Sequence, residues 1–306
     1  MSELRVENLY TYPIKSCAGI SLQYADVFER GLENDRYFMV TDSEGNFISQ
    51  RTKPELALVE PDILDSDSHY IRMAVDAPNL GELMIDHEWH SGIPRELVRN
   101  YVHGKPVNGL RTADDADEWF SEYLNMPASL SAINTYDYRW INQRYYHEDA
   151  TNAVAFADAF PFLLTSTASL DAFNRSMVED LDAPAIPMNR FRPNVVVSGE
   201  GLEPYEEDYW RRVRIGQMVA YIVRPCKRCA IPYVDQDTAQ STGNKTVGRT
   251  LAATRRGRDT TKPDDDGKGV YFGQYLDHVY QEGLYISVDD EVVVLDGSKE
   301  SNVQIR

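Results

Sequence analysis

The run of short β-type segments that fills the first hundred residues, with no helical run between them, is what most restricts this chain. Leu4–Tyr12 mixes β-branched, aromatic and polar residues, and Tyr37–Thr41 (YFMVT) is a short apolar run. Asp42-Ser43-Glu44-Gly45-Asn46 separates it from Phe47–Ser49, the signature of a hairpin. Leu56–Val59, Ile63–Leu64, Ile71–Val75 and Glu82–Ile85 continue the pattern, with Asp, Ser, Pro and Gly between them. Parallel βαβ units need a helix in each crossover, so these segments predict a barrel or sandwich.

Helical spacing first appears near Thr112. Ala116, Trp119, Phe120, Tyr123 and Leu124 share one face, acids fill the first turns, and Thr112 is the expected cap, which predicts a helix over about 112–125. A second helix is expected over 167–177, capped by Ser166 with Leu170, Phe173 and Met177 inward, and a third over 246–254. Asp137–Asn152 (DYRWINQRYYHEDATN) reads as a long ordered loop of the kind that carries function. Strands are expected again at Val195–Val197, Val213–Ile215, Val219–Val223, Ile231–Val234, Leu284–Val288 and Glu291–Leu295, with Arg255–Gly269 a mobile surface loop. At 306 residues the chain suits one large domain or two modest ones. The reading is a mostly β, α+β protein, with a β domain over 1–110 and a second β-rich domain with connecting helices over 111–306.

The charge narrows the function. There are 31 Lys and Arg against 49 Asp and Glu, a net of −18, which argues against nucleic acid and against docking on an anionic membrane. The start has no apolar signal core and no stretch approaches a membrane span, so a soluble, cytoplasmic protein in a reducing compartment is expected. Three cysteines, Cys17, Cys226 and Cys229, form no disulfide framework. Neither G-x-G-x-x-G after a strand nor G-x-x-x-x-G-K-[ST] occurs.

Two of those cysteines lie in Arg224-Pro225-Cys226-Lys227-Arg228-Cys229, within a strand–turn–strand setting. Structural zinc needs four ligands, and a thioredoxin-like pair needs a helix after the motif; inert buried thiols are a third possibility. Between Arg190 and Arg228 eight basic residues face five acidic ones, a local +3 in a chain of −18. Cations beside a cysteine favour the thiolate, and guanidinium groups match phosphate oxygens, which together suggest a soft metal carried on an anionic, phosphorylated cofactor. The alternative is that these arginines pair on the surface with Glu203–Asp208. Near the N-terminus, Tyr12-Pro13-Ile14-Lys15-Ser16-Cys17-Ala18-Gly19 and Asp35-Arg36-Tyr37 offer a lysine and hydroxyl at a turn, a second anion-holding device.

Taken together, the YPIKS-C-x-G and DRY-x-V segments, Phe191-Arg192-Pro193-Asn194, RPCKRC, Val234-Asp235-Gln236-Asp237-Thr238 and Phe272-Gly273-Gln274-Tyr275 resemble the MOSC family, including its amidoxime-reducing and bacterial YcbX-like branches. The resemblance implies an N-terminal MOSC β-barrel-like domain, a C-terminal MOSC β-barrel domain, and a molybdenum cofactor (Mo-molybdopterin) at their junction. By position it makes Cys229 the metal ligand and catalytic residue. It assigns cofactor contacts to Lys15, Ser16, Arg36, Arg192, Asn194, Lys227 and Arg228, and to Asp158 and Phe160 of Asp158-Ala159-Phe160-Pro161. Ala159 and Phe160 lack the family's hydroxyls, leaving backbone contacts there, and Lys227 replaces a small residue. The implied activity is reduction of small N-hydroxylated molecules (hydroxylaminopurines, amidoximes, hydroxylamines) by oxygen-atom removal. No cysteine follows Cys229 to hold an iron–sulfur cluster, so electrons are expected from a separate ferredoxin- or flavin-type protein. The competing readings are a non-reductive module that binds the cofactor or carries sulfur on Cys229, and a β-rich interaction protein with spare thiols. Pyridoxal phosphate binding attaches to the family only by association.

Overall fold

The computed structural model describes residues 3–67, 69–89, 96–242 and 246–305. Its larger sheet closes on itself. In spatial order the strands are Phe162–Ser166, Val195–Ser198, Leu4–Thr11, Glu291–Gly297, Trp210–Ile215, Met218–Lys227 and Gly269–His278, which returns to Phe162–Ser166. Only the Phe162–Ser166/Val195–Ser198 pair is parallel. Closure leaves these seven strands no open edge, and the alternating pattern sends Leu4, Val6, Val195, Val197, Val213, Ile215 and Val292 inward. Gly273 lies at the seam with φ +79°, where a Cβ would stand 2.8 Å from the Leu164 carbonyl oxygen.

Outside this barrel, α2 (Thr167–Leu181) and α3 (Val247–Thr254) cover Val196 and Phe272. Ser166 caps α2, accepting from the Ser169 amide at 3.1 Å, and Phe173 and Met177 are buried, as the spacing predicts. The helix runs one turn further than expected. The sheet of Leu97–Val102, Lys105–Arg111, Ser129–Ile133, Phe38–Thr41 and Ile14–Lys15 shares a second core with the meander Glu60–Ser66, Tyr70–Asp76 and Leu83–Glu88. α1 (Asp114–Leu124) buries Ala116, Trp119, Phe120 and Leu124 in that core. Residues 116–133 thus pack into this second core, and Leu4–Thr11 lies in the barrel. Among the described residues no helix is long and apolar enough to cross a membrane.

Four local expectations are corrected. Thr112 does not cap α1; its hydroxyl donates to the Leu130 carbonyl at 2.8 Å, and Ala113 occupies the cap position. Leu56–Val59 is largely a 3-10 turn (Pro54–Leu58), because Pro54 fits a first helical turn and not a paired strand. Ile231–Val234 is likewise a 3-10 turn (Ile231–Tyr233) opened by Pro232. Arg255–Gly269 is not simply a mobile surface loop. Arg255 is buried against Asp208 (2.7 Å), and Arg256–Asp259 pairs with Val303–Ile305 and with Gly269 and Val270. The apparent lack of apolar periodicity there conceals buried ion pairs, since Asp259 is also buried and binds Arg224 at 2.9 Å.

Candidate active site

One cavity of about 290 Å³ lies where the two cores meet, and all ten residues singled out from the sequence line it: Lys15, Ser16, Arg36, Asp158, Phe160, Arg192, Asn194, Lys227, Arg228 and Cys229. They come from five stretches of chain spread over more than two hundred positions, brought together by the barrel and the turns beside it.

Each turn has a local cause. Lys15 ends the short strand Ile14–Lys15, held parallel to Phe38–Thr41, and Ser16 then turns the chain with φ +72°. Arg36 (φ +54°) donates its amide to the Tyr12 carbonyl at 2.8 Å, and Asp35 accepts the Tyr12 amide at 2.9 Å. Arg192 (φ +54°) terminates the 3-10 turn Met188–Phe191, its amide bonded to the Asn189 carbonyl. Three non-glycine residues in the left-handed region at one cavity mark a backbone held against its own preference, a pattern that clusters at functional sites. Asn194 acts as a clamp. Its Oδ1 accepts from the Leu163 amide and from Arg36 (both 3.2 Å), and its Nδ2 donates to the Tyr10 carbonyl.

The electrostatics are those of an anion site. Arg36 and Arg192 lie over the Tyr12 ring at 4.4 and 4.2 Å. Arg192 is buried, its Nη2 has no hydrogen-bond partner among the described residues, and burial pulls its pKa from 12.5 down to about 10. Arg228 donates to the Phe191 carbonyl (2.8 Å) and to the Cys226 sulfur (3.0 Å), but its Nε is buried and unpartnered. Glu203–Asp208 do not neutralise these arginines: Asp208 pairs with Arg255, Arg190 with Asp235 and Arg224 with Asp259. Opposite them, Asp158 pairs with Lys15 and with His103 Nε2 (3.2 Å). Burial works to raise the Asp158 pKa, but Lys15 and His103 outweigh it and hold the carboxylate well below its usual range. Burial lowers Lys15 despite the same pair.

The two thiols of the C-x-x-C differ. Cys226 ends the strand Met218–Lys227 almost fully buried, and that burial pushes its pKa up despite Arg228. Cys229 lies just past the strand, half-buried, in the cavity wall. No group of three or more His, Cys, Asp or Glu capable of holding a metal exists among the described residues. A half-buried thiol beside unpartnered guanidinium groups therefore fits a metal brought in by an anionic organic chelate, rather than a protein-built metal cage. The residues present fit a phosphorylated molybdenum cofactor on this ground.

Sequence reasoning missed Arg51 and His103, and named Arg224 and Tyr275 within motifs without placing them in the site; all four also line the cavity. His103 had a legible signal. His103-Gly104 is a two-residue loop joining Val102 to Lys105, with φ +51° and +73°, the geometry of a tight hairpin turn. Its adjoining strands were not foreseen, so the turn passed unseen.

Residues 3–127 match the MOSC N-terminal beta barrel domain, and residues 151–293 match the MOSC domain. The chain is 32% identical over 281 residues to mitochondrial amidoxime-reducing component 1 of Mus musculus, covering 89% of this chain and 77% of that one. It is 30% identical over 239 residues to mitochondrial amidoxime reducing component 2 of Bos taurus, covering 76% and 67%. It is 26% identical over 301 residues to molybdenum cofactor sulfurase of Homo sapiens, covering 94% of this chain but only 32% of the larger protein. With both domains matched in order around this cavity, the chain belongs to the MOSC family.

Proposed function

We propose that this protein binds a molybdenum cofactor in the cavity and reduces N-hydroxylated small molecules. The observation that carries the reading is a half-buried Cys229 sharing one cavity with the unpartnered N–H groups of Arg192 and Arg228. When bound, the cofactor would supply two-electron removal of oxygen from an N–O bond; R–NHOH, two electrons and two protons give R–NH2 and water. The chain's own residues have the remaining tasks. Lys15, Arg36, Arg192 and Arg228 hold the anionic phosphate, and Ser16 adds a hydroxyl at the turn. Cys229 presents a soft thiolate to the metal. Phe160, packed on Tyr275 and Tyr145, closes the apolar wall. Lys227, exposed at the rim, sets a positive entrance. His103, tied through Nε2 to Asp158 and partly open to solvent, is placed to pass a proton inward. The electrons would come from a separate ferredoxin- or flavin-type protein.

The sulfurase match favours a second reading, in which Cys229 carries sulfur or the cofactor is bound without reduction. Metal and pterin analysis of protein made in a cofactor-competent host separates the outcomes. One molybdenum per chain, with benzamidoxime reduction by a chemical donor that Cys229→Ser abolishes, supports the reductase. Bound cofactor without turnover, or sulfur recovered on Cys229, supports the second reading. Cofactor content unaltered by Lys15→Ala and Arg192→Ala refutes the assignment of the site.

A further inference from the structure

A second chamber of about 610 Å³ adjoins the first. The two share His103, Asp158, Ala159, Phe160 and Arg224 in their walls, so they lie side by side across that partition. The chamber lies between the hairpin Leu97–Val102/Lys105–Arg111 and the aromatic segment around Arg139–Tyr145. Its volume falls in the usual range of small-molecule pockets.

Most charges in its wall are already committed. Arg139 donates to the carbonyls of Ala155, Ala157 and Asp158; Arg224 pairs with Asp259; Asp137 accepts from Asn108 (2.6 Å); Asp158 is held by Lys15. Arg99 and Lys105 remain: both are exposed, and neither has an ion-pair or hydrogen-bonding side-chain partner among the described residues. The chamber therefore ends in two free cations within a chain of net charge −18. Deeper in, the Tyr145 side chain is more than nine-tenths buried, and its hydroxyl has no hydrogen-bond partner; the buried Nε of Arg224 has none either. The Arg224 guanidinium lies 5.4 Å from the Tyr145 ring centre. Buried donors without acceptors are costly, and a ligand bearing an acceptor removes that cost. Phe160 meets the Tyr145 ring edge-on at 5.6 Å, offering an aromatic wall beside these donors.

We infer that this chamber is the substrate site and that it selects flat aromatic N-hydroxylated compounds carrying an anionic substituent. The ring lies against Tyr145 and Phe160, a ring or oxime acceptor meets the Tyr145 hydroxyl and Arg224 Nε, and the anion reaches Arg99 and Lys105. The nature of the ligand's reactive group rests on the reductase reading; the preference for an anionic ring does not.

The test is calorimetric binding of benzamidoxime and 4-carboxybenzamidoxime to the cofactor-loaded protein with no electron donor present, at low salt. The carboxylate probe is expected to bind about 10-fold tighter, since complementary charge raises affinity and is screened by salt. Combining Arg99→Gln with Lys105→Gln brings the ratio of the two affinities close to one, and 0.5 M salt does the same to the wild type. Tyr145→Phe weakens both probes about 3- to 10-fold. Equal wild-type affinities, a ratio that survives the double substitution, or binding of neither probe overturns the inference. Binding with the expected ratio but no reduction after a donor is added upholds the chamber and refutes the reductase reading.

Discussion

Arg192 is charged, buried and incompletely bonded, so replacing it should stabilise the protein while removing its ligand. Burial takes its pKa from 12.5 to about 10. Both values lie above neutrality, so at pH 7 the guanidinium is protonated in the folded and unfolded chain alike, and the whole shift is a penalty on folding. At about 1.4 kcal/mol per unit this is about 3 kcal/mol in the cofactor-free protein. Against it stands the cation–π contact with Tyr12 at 4.2 Å, worth about 0.5–2 kcal/mol. The long contact from Nη1 to Gln236 Oε1 (3.5 Å) adds little. Arg192→Met retains most of the packed volume and the same backbone strain, so the cofactor-free variant should gain about 1–2 kcal/mol in urea unfolding at pH 7. The same variant, expressed with cofactor available, should lose most of its bound pterin and molybdenum, because the unpartnered Nη2 proposed to hold the cofactor's phosphate is gone. Stability would thus be traded for binding, as active sites commonly require. A cofactor-free variant destabilised by more than about 1 kcal/mol would show that the guanidinium is structural, bracing Tyr12, and would refute the argument that it awaits an anion.

Three further outcomes follow from particular contacts. His103→Gln should lower kcat about 10- to 100-fold, because the imidazole bound to Asp158 beside the cavity is placed to pass a proton inward; an unchanged kcat removes His103 from the proton path. Gly273→Ala should destabilise by about 2–4 kcal/mol, since the residue has φ +79° and the added Cβ meets the Leu164 carbonyl at the barrel seam; a loss below about 0.5 kcal/mol in urea unfolding would show that the seam yields. His278, fully buried and donating from Nε2 to the Phe28 carbonyl, has its pKa lowered by burial from 6.5 to about 4, while burial raises neighbouring Asp277 from 3.8 to about 6. The unfolded chain takes up the histidine proton first, so His278 weakens the fold as pH falls from 6.5 towards 4, and Asp277 opposes this by protonating in the folded state. Between pH 7.5 and 5, His278→Gln should therefore improve the change in unfolding free energy by about 2 kcal/mol relative to wild type; equal changes in the two proteins refute the assignment.

The β-rich class, the three helices and the gathering of basic residues around the C-x-x-C were legible because each is a local pattern: strand-length runs, apolar faces at helical spacing, and a reversal of charge sign. Boundaries at Pro54 and Pro232 were misread because an apolar run alone does not distinguish a strand from a 3-10 turn. Arg255–Gly269 was misread for a deeper reason. Its order depends on Asp208, Arg224 and Val303–Ile305, partners distant in sequence whose pairing leaves no periodic trace. His103 escaped notice because the strands flanking its turn were not foreseen, and Arg224, though counted in the basic run, was not placed in the site because its meeting with distant segments leaves no local trace.

By itself, then, the sequence determined the β-rich class, the position of the C-x-x-C and that its surroundings are basic in an acidic chain. Only the tertiary structure decided how open each of the two thiols is, since both line the cavity. The strand ending at Lys227 buries Cys226 against Arg228, whereas Cys229, just past it, is half-buried. It also decided which arginines are free. Sequence proximity set Glu203–Asp208 against the basic run as its natural partners, but the closed barrel gives Asp208 to Arg255 and turns Arg192 and Arg228 inward with N–H groups unpaired. Charge pairing is a matter of distance in space, and in a barrel closed by strands far apart in the chain that distance cannot be read from position along it.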